Sequence, residues 1–267
     1  MTPLAEGTML RTAPLAPRVA LDELVAQGVL VLVPHPDDET LGCGGALAAA
    51  ATAGRDVHVV VITDGAGSHP GSTAWPRSRL GARRARELGN ALGALGNGRL
   101  TFDMLGRPDQ GGTMPCSPGM PSRLSLLTDL MIRRGLRTLW TTWEGDPHPD
   151  HVDAARLADA LQQRYAARSG QPATLLRFPV WGRFIEANVD RTVEELVRFE
   201  PDAVSRDAKR RALACHATQM TPLIDDDPHG FVMPPAMQRH FIEHDELFIR
   251  RRASRIPSCS VPHSTSN

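Results

Sequence analysis

VLVLVPHPDDETLGCGGALAAAATAGRDVHVVVIT, residues 29–63, contains two apolar runs separated by an alanine-rich stretch. Residues 29–33 predict a buried strand. Thr40 can cap a helix that runs through Ala53 and is closed by Gly54, and residues 57–63 predict the next strand. Strand, helix, strand is the parallel crossover unit.

The pattern extends in both directions. Upstream, residues 21–27 have helical spacing and stop at Gly28. Downstream, helices are predicted at about 78–95, 123–134 and 151–167, with strands at 100–105 and 138–142 between them. Beyond these the order is less regular, with short strands near 174–180 and 188–197 and a helix around 205–218. The sequence therefore predicts a Rossmann-like α/β fold: an open, mainly parallel sheet with helices on both faces and irregular C-terminal additions that can add strands to an edge. Residues 1–19 read as a loose N-terminal arm, 20–253 as a single domain, and 254–267, rich in serine and proline, as a disordered tail.

Composition narrows the function classes. The 267 residues carry 30 basic and 30 acidic side chains, with a sequence pI near 7.2. No basic surplus exists to drive binding to nucleic-acid phosphates or anionic lipid. The first twenty residues lack the apolar stretch of a secretory signal, and every apolar run is too short to span a bilayer. Four cysteines, Cys43, Cys116, Cys215 and Cys259, lack CxxC spacing, so neither a cysteine zinc site nor a disulfide framework is expected. A cytoplasmic protein without an integral membrane segment fits these features.

In open parallel sheets, ligands bind where strands end at their carboxyl side. PHPDDE (34–39) begins there. EGDPHPDH (144–151) follows the strand predicted at 138–142, so both clusters emerge on one side of the sheet. His35, Asp37, Asp38, Glu39, His148, Asp150 and His151 would then share a crevice, where carboxylate repulsion and lost hydration require compensation. A divalent cation supplies it. His35 and Asp38, three residues apart in a loop entering a helix, can face one point, and His151 can supply a third ligand. This cysteine-free set suits zinc, with iron or cobalt also compatible.

PHPDDE, TDG (63–65) and HPDH (148–151) resemble the motifs of the LmbE/PIG-L family of zinc-dependent N-acetylglucosaminyl deacetylases. Two weaker echoes accompany them: Arg84 and Glu87 are similar to the family's RxxE helix, and KRRALACHATQ (209–219) to its K…AL…H-S-Q segment, with Thr218 in place of serine. The resemblance implies that His35, Asp38 and His151 hold zinc, that Asp37 is the general base, and that His148 is a cationic partner held by Asp150. It also implies hydrolysis of the N-acetyl, or another N-acyl, group of a 2-amino sugar or its conjugate. Either His148 or Asp37 can deliver the proton to the leaving amine.

Other residues carry alternatives. Glu39 either supports His148 or a zinc ligand, or caps the helix. Asp64 orders its loop or orients a metal ligand. Arg84 reaches a substrate hydroxyl or phosphate, or pairs on the helix surface with Glu87 or a neighbouring loop. His216 belongs to the site or meets a helix dipole, and Trp75 stacks on a sugar face or closes on the core. The glycines of GCGGAL (42–47) fit close helix-to-sheet packing better than a dinucleotide site. The competing functions are a metal-dependent phosphoester hydrolase and a non-catalytic sugar- or nucleotide-binding module. Aglycone, acyl chain, cellular metal and oligomeric state, including a homo-oligomer, stay open.

Overall fold

Val29, Val31 and Val33 face one hydrophobic layer, while Leu30 and Leu32 face another. Alternation along a strand buried on both faces requires both layers to be covered. In the computed structural model, which describes residues 6–110 and 115–252, helices cover both.

The chain runs through α1 (Thr8–Thr12), α2 (Leu21–Leu24), β1 (Gly28–Val33), α3 (Asp38–Thr52), β2 (Asp56–Thr63), α4 (Arg77–Gly96), β3 (Thr101–Arg107), α5 (Met120–Arg134), β4 (Thr138–Thr142) and α6 (Pro149–Ser169). It continues with β5 (Thr174–Phe178), β6 (Glu194–Phe199), α7 (Ala203–Cys215), α8 (Ala217–Met220), α9 (Pro235–Glu243) and β7 (Glu246–Arg251). The seven strands form one sheet in the order β3-β2-β1-β4-β5-β7-β6. β1 pairs in parallel with β2 and β4, as do β2 with β3 and β4 with β5. β7 runs antiparallel to both β5 and β6. Helices α3, α4 and α7 pack together on one face, and α5 and α6 on the other.

After β1 the chain builds outward through β2 and β3, then returns to place β4 on β1's other side. The crevice at the carboxyl ends of β1 and β4 is therefore the topological switch point. Both charged clusters open into it.

Several expectations change. The segment read as a loose arm is docked from Gly7 to Val19: Met9 is 1% exposed, the Gly7 N–H donates to the Arg183 carbonyl, and the Val19 N–H to that of Arg198. Its apolar residues cover the sheet's β6–β7 end, a partner that local sequence does not reveal. α2 stops at Leu24 because Val25 is extended (φ −149°, ψ 107°). The helix expected over 205–218 breaks at His216, where ψ turns to 51°. The added strands include β7, which lies inside the sheet rather than at its rim. The tail at 254–267 lies outside the described residues.

Gly42 and Gly45 show why the GCGG run is glycine-rich. A Cβ on Gly42 would collide with the Phe178 ring, and one on Gly45 with Pro201. Close packing of α3 explains these residues.

Candidate metal centre and active-site cleft

Pro34 ends β1 and Asp37 begins the turn into α3 with φ +143°, a conformation that strains a non-glycine residue. Side chains on both sides hold it. Arg84 of α4, 3% exposed, donates from Nη2 to the Pro36 carbonyl (2.7 Å) and to Asp37 Oδ2 (3.1 Å), and from Nη1 to the Gly65 carbonyl (2.7 Å). Glu39 Oε2 accepts the Asp37 N–H at 3.0 Å. The other Glu39 oxygen accepts from the Thr40 hydroxyl and lies 3.3 Å from His216 Nε2. Glu39 thus supports Asp37 and His216, not His148. Arg84 pairs with Asp37, while Glu87 takes the Thr218 hydroxyl and N–H and Arg83 Nε.

Asp38 lies between two imidazoles. Its Oδ2 is 3.1 Å from His35 Nδ1, and its Oδ1 is 3.4 Å from His151 Nε2. His151, wholly buried on the first turns of α6, is fixed through Nδ1 to Asp146 Oδ2 at 2.8 Å. Asp146 also accepts the N–H groups of Val180, Trp181 and Gly182. With Nδ1 donating to Asp146, a neutral His151 would present a lone pair at Nε2, an atom that has no hydrogen-bond partner among the described residues. A buried lone pair facing a carboxylate is poorly satisfied by protein alone and well matched to a cation. Among the described residues, the groupings whose potential donor atoms all lie within 4.8 Å of one another are His35, His148 and His151, and His35, Asp109 and Asp150. The expected trio of His35, Asp38 and His151 is not one of them, and Asp38 meets each imidazole through a different oxygen.

The pairing proposed for His148 and Asp150 is different in the structure. Asp150 Oδ2 lies 3.1 Å from His35 Nε2 and accepts the Gln110 N–H at 3.0 Å. His148 Nδ1 instead accepts the backbone N–H of Asp150, because His148 caps α6. Its ring proton therefore sits on Nε2. Burial and the neighbouring His35 and His151 push the His148 pKa down, against the expectation of a cation held by Asp150.

Burial also pushes Asp37 up to about 6, opposed by Arg84 and reinforced by the charge of Asp38. For Asp38, the desolvation that would raise it is outweighed by His151 and His35, which bring it down to about 2. His35 is desolvated too, yet contacts with Asp109, Asp150 and Asp38 raise it well above the ordinary imidazole value. His216 is raised in the same way by Glu39 and Asp37.

A cleft of about 340 Å³ opens over these groups. His35, Asp37, Asp38, Arg84, His148 and His151 line it. Asp64 does not: it accepts the N–H groups of Ala66 and Asp109 and orders its loop. Trp75 is also away from the lining, with Arg79 over its ring at 4.1 Å. The aromatic wall comes from Trp181 and Phe231 instead. Asp109, Asp146, Trp181, Gln219 and Phe231 were not singled out from sequence. Two of them carried a usable signal: Asp146 by its place inside EGDPHPDH, and Gln219 as the glutamine closing the family-like segment 209–219.

The GlcNAc-PI de-N-acetylase (PIG-L) family model matches residues 30–161, which include both charged clusters. A 1D-myo-inositol 2-acetamido-2-deoxy-alpha-D-glucopyranoside deacetylase of Rhodococcus jostii is 31% identical over 247 residues, covering 72% of this chain and 82% of that protein. The chain belongs to the PIG-L family. Among solved structures, a conserved protein from Thermus thermophilus is 26% identical with TM-score 0.56, over 90% of this chain and all of that one. The N,N'-diacetylchitobiose deacetylase from Pyrococcus horikoshii shares the fold at TM-score 0.54 and 20% identity, over 74% and 72% of the two chains. This PIG-L chain places Trp181, His216 and Phe231 beyond the segment matched by the family model.

Proposed function

We propose that the chain hydrolyses the N-acetyl group of an N-acetylglucosamine-containing small molecule, with one zinc ion held by His35, Asp38 and His151. The observation that carries this reading is the orphaned Nε2 of His151, fixed by Asp146 and facing Asp38. A nitrogen, nitrogen, oxygen donor set leaves a position for substrate or water. The name of the Rhodococcus jostii relative supports an acetamido sugar as the substrate class. No helix among the described residues is long and apolar enough to cross a membrane.

When bound, the ion supplies Lewis acidity to the amide carbonyl and to the attacking water. Asp37 takes the proton of that water: its carboxylate lines the cleft and is aimed by Arg84. Burial, which raises its pKa above the ordinary carboxylate value, makes it a better proton acceptor than an exposed aspartate. His148, protonated on Nε2, donates a hydrogen bond to the oxygen on which negative charge develops. The water oxygen bonds to the acyl carbon, the C–N bond breaks, and the proton held by Asp37 passes to the departing nitrogen. Acetate and a free amino sugar result.

The test is acetate release from N-acetylglucosaminides by zinc-loaded protein, set beside the metal content of His151→Ala. About one zinc per chain, lost with activity in the variant, is the expected result. No metal uptake by the parent protein would overturn the site.

A further inference from the structure

The cleft is chemically mixed. Beside the ionisable groups, Leu41, Pro70, Trp181, Phe231 and Met233 line it as an apolar wall. Leu41 and Met233 are buried, while Trp181 and Phe231 are half-buried and meet edge to face, with ring centroids 5.7 Å apart. Both aromatics are tied to the site's framework. The Trp181 N–H donates to Asp146, which also fixes His151, and the Phe231 N–H donates to the Ser68 carbonyl. The wall is therefore held in register with the proposed reacting centre.

Charge in the cleft points the same way. Among the described lining residues, Arg84 is the only arginine or lysine. Its Nη1 and Nη2 are committed to two carbonyls and Asp37, and only its buried Nε lacks a partner among the described residues. Residues 111–114, outside the described set, contain no basic side chain. Beyond the proposed ion, whose charge Asp37 and Asp38 balance, a phosphate in this cleft would face Asp109 and the lining histidines, with no lysine ammonium and no arginine Nη that is not already paired.

From this we infer that the substrate is an uncharged amino-sugar derivative carrying an apolar group against Trp181 and Phe231, and not a sugar phosphate or diphosphate. The inference rests on the amidohydrolase reading of the same site. An aromatic or aliphatic aglycone and an N-acyl chain longer than acetyl share the chemistry this wall recognises.

The experiment compares zinc-loaded protein on four compounds: methyl and phenyl N-acetyl-β-D-glucosaminide, methyl N-butanoyl-β-D-glucosaminide and N-acetylglucosamine 1-phosphate. Amine release is followed for all four. The phenyl or the butanoyl compound should exceed the methyl acetyl compound about tenfold in kcat/KM, and which one does so identifies aglycone or acyl chain as the source. The phosphate should fall below the methyl compound by about a hundredfold. In Trp181→Ala and Phe231→Ala the preference should shrink to about twofold or less. Equal kcat/KM for the three uncharged compounds, or efficient use of the phosphate, would overturn the inference. Should no compound release an amine, the amidohydrolase reading fails by itself. Tryptophan-fluorescence titration with the same phenyl, butanoyl and methyl compounds then still decides the wall, equal affinities counting against it.

Discussion

Asp146 shows how one side chain can organise a centre without belonging to its first contacts. Its carboxylate takes the ring N–H of His151 and three backbone N–H groups that lead into the aromatic wall. Asp146→Asn keeps an acceptor oxygen but weakens the polarisation of His151, and zinc affinity should drop about 10–100-fold. Competition with a chromogenic chelator measures this, and an unchanged affinity would refute the role. His240 carries a different consequence. Burial, followed by the charges of Arg183 and His244, depresses its pKa to about 3. Between the unfolded value near 6.5 and about 3, the unfolded chain binds a proton that the folded one refuses. Stability contributed by neutral His240 is therefore complete above about pH 6.5 and is lost as pH falls, at up to ~1.4 kcal/mol per pH unit. Replacing His240 by Gln should flatten the acid limb of a stability–pH curve by that slope.

At the scale of elements, α3 is two helical pieces. Cys43 leaves helical geometry (φ −142°, ψ 18°), and the break frees backbone groups on both sides. Glu246, at the start of β7, accepts the N–H groups of Gly45 and Ala46, while Lys209 of α7 donates to the Leu41 carbonyl and to Glu246 at 2.6 Å. All of this is buried. The first turn of α3, which carries Asp38 and Glu39, is thus anchored by strands and helices far along the chain. Lys209→Met leaves a buried carboxylate without its counter-charge and should cost about 3–5 kcal/mol in urea unfolding. The double variant Lys209→Met/Glu246→Gln should cost less than the two single changes summed. The sequence marked Lys209 only through a family segment and Glu246 not at all, because a glutamate opening a strand reads as surface until its partner is known.

For the whole molecule, the proposed ion joins the end of β1 to the start of α6 across the switch point. Binding to the folded state alone then stabilises the fold by mass action. At free zinc a hundredfold above its Kd the gain is about 2.7 kcal/mol, and a chelator should lower Tm accordingly. A thermal scan with and without chelator tests this, and identical midpoints would sever the ion from the fold. The same tertiary closure brings in Asp109, an isolated acid in GRPDQGG, whose Oδ1 reaches His35 Nε2 at 3.1 Å. Local sequence contains no sign of that contact. Nor does it say which loop tryptophan meets the cleft: Trp75 and Trp181 both sit outside strands, and only the return of the chain through β5 puts Trp181 there.

By itself the sequence determined the parallel crossover core and the two charged clusters at its strand ends, because strand burial, helix spacing and motif adjacency are encoded over short stretches. It also brought the family into view. Tertiary structure decided that β7 enters the sheet, that Asp150 faces His35, that Glu39 supports Asp37 and His216, and that Trp181 and Phe231 make the wall. Those outcomes depend on which distant segments pack against one another, and a side chain's partner is fixed by that packing rather than by its neighbours in the chain.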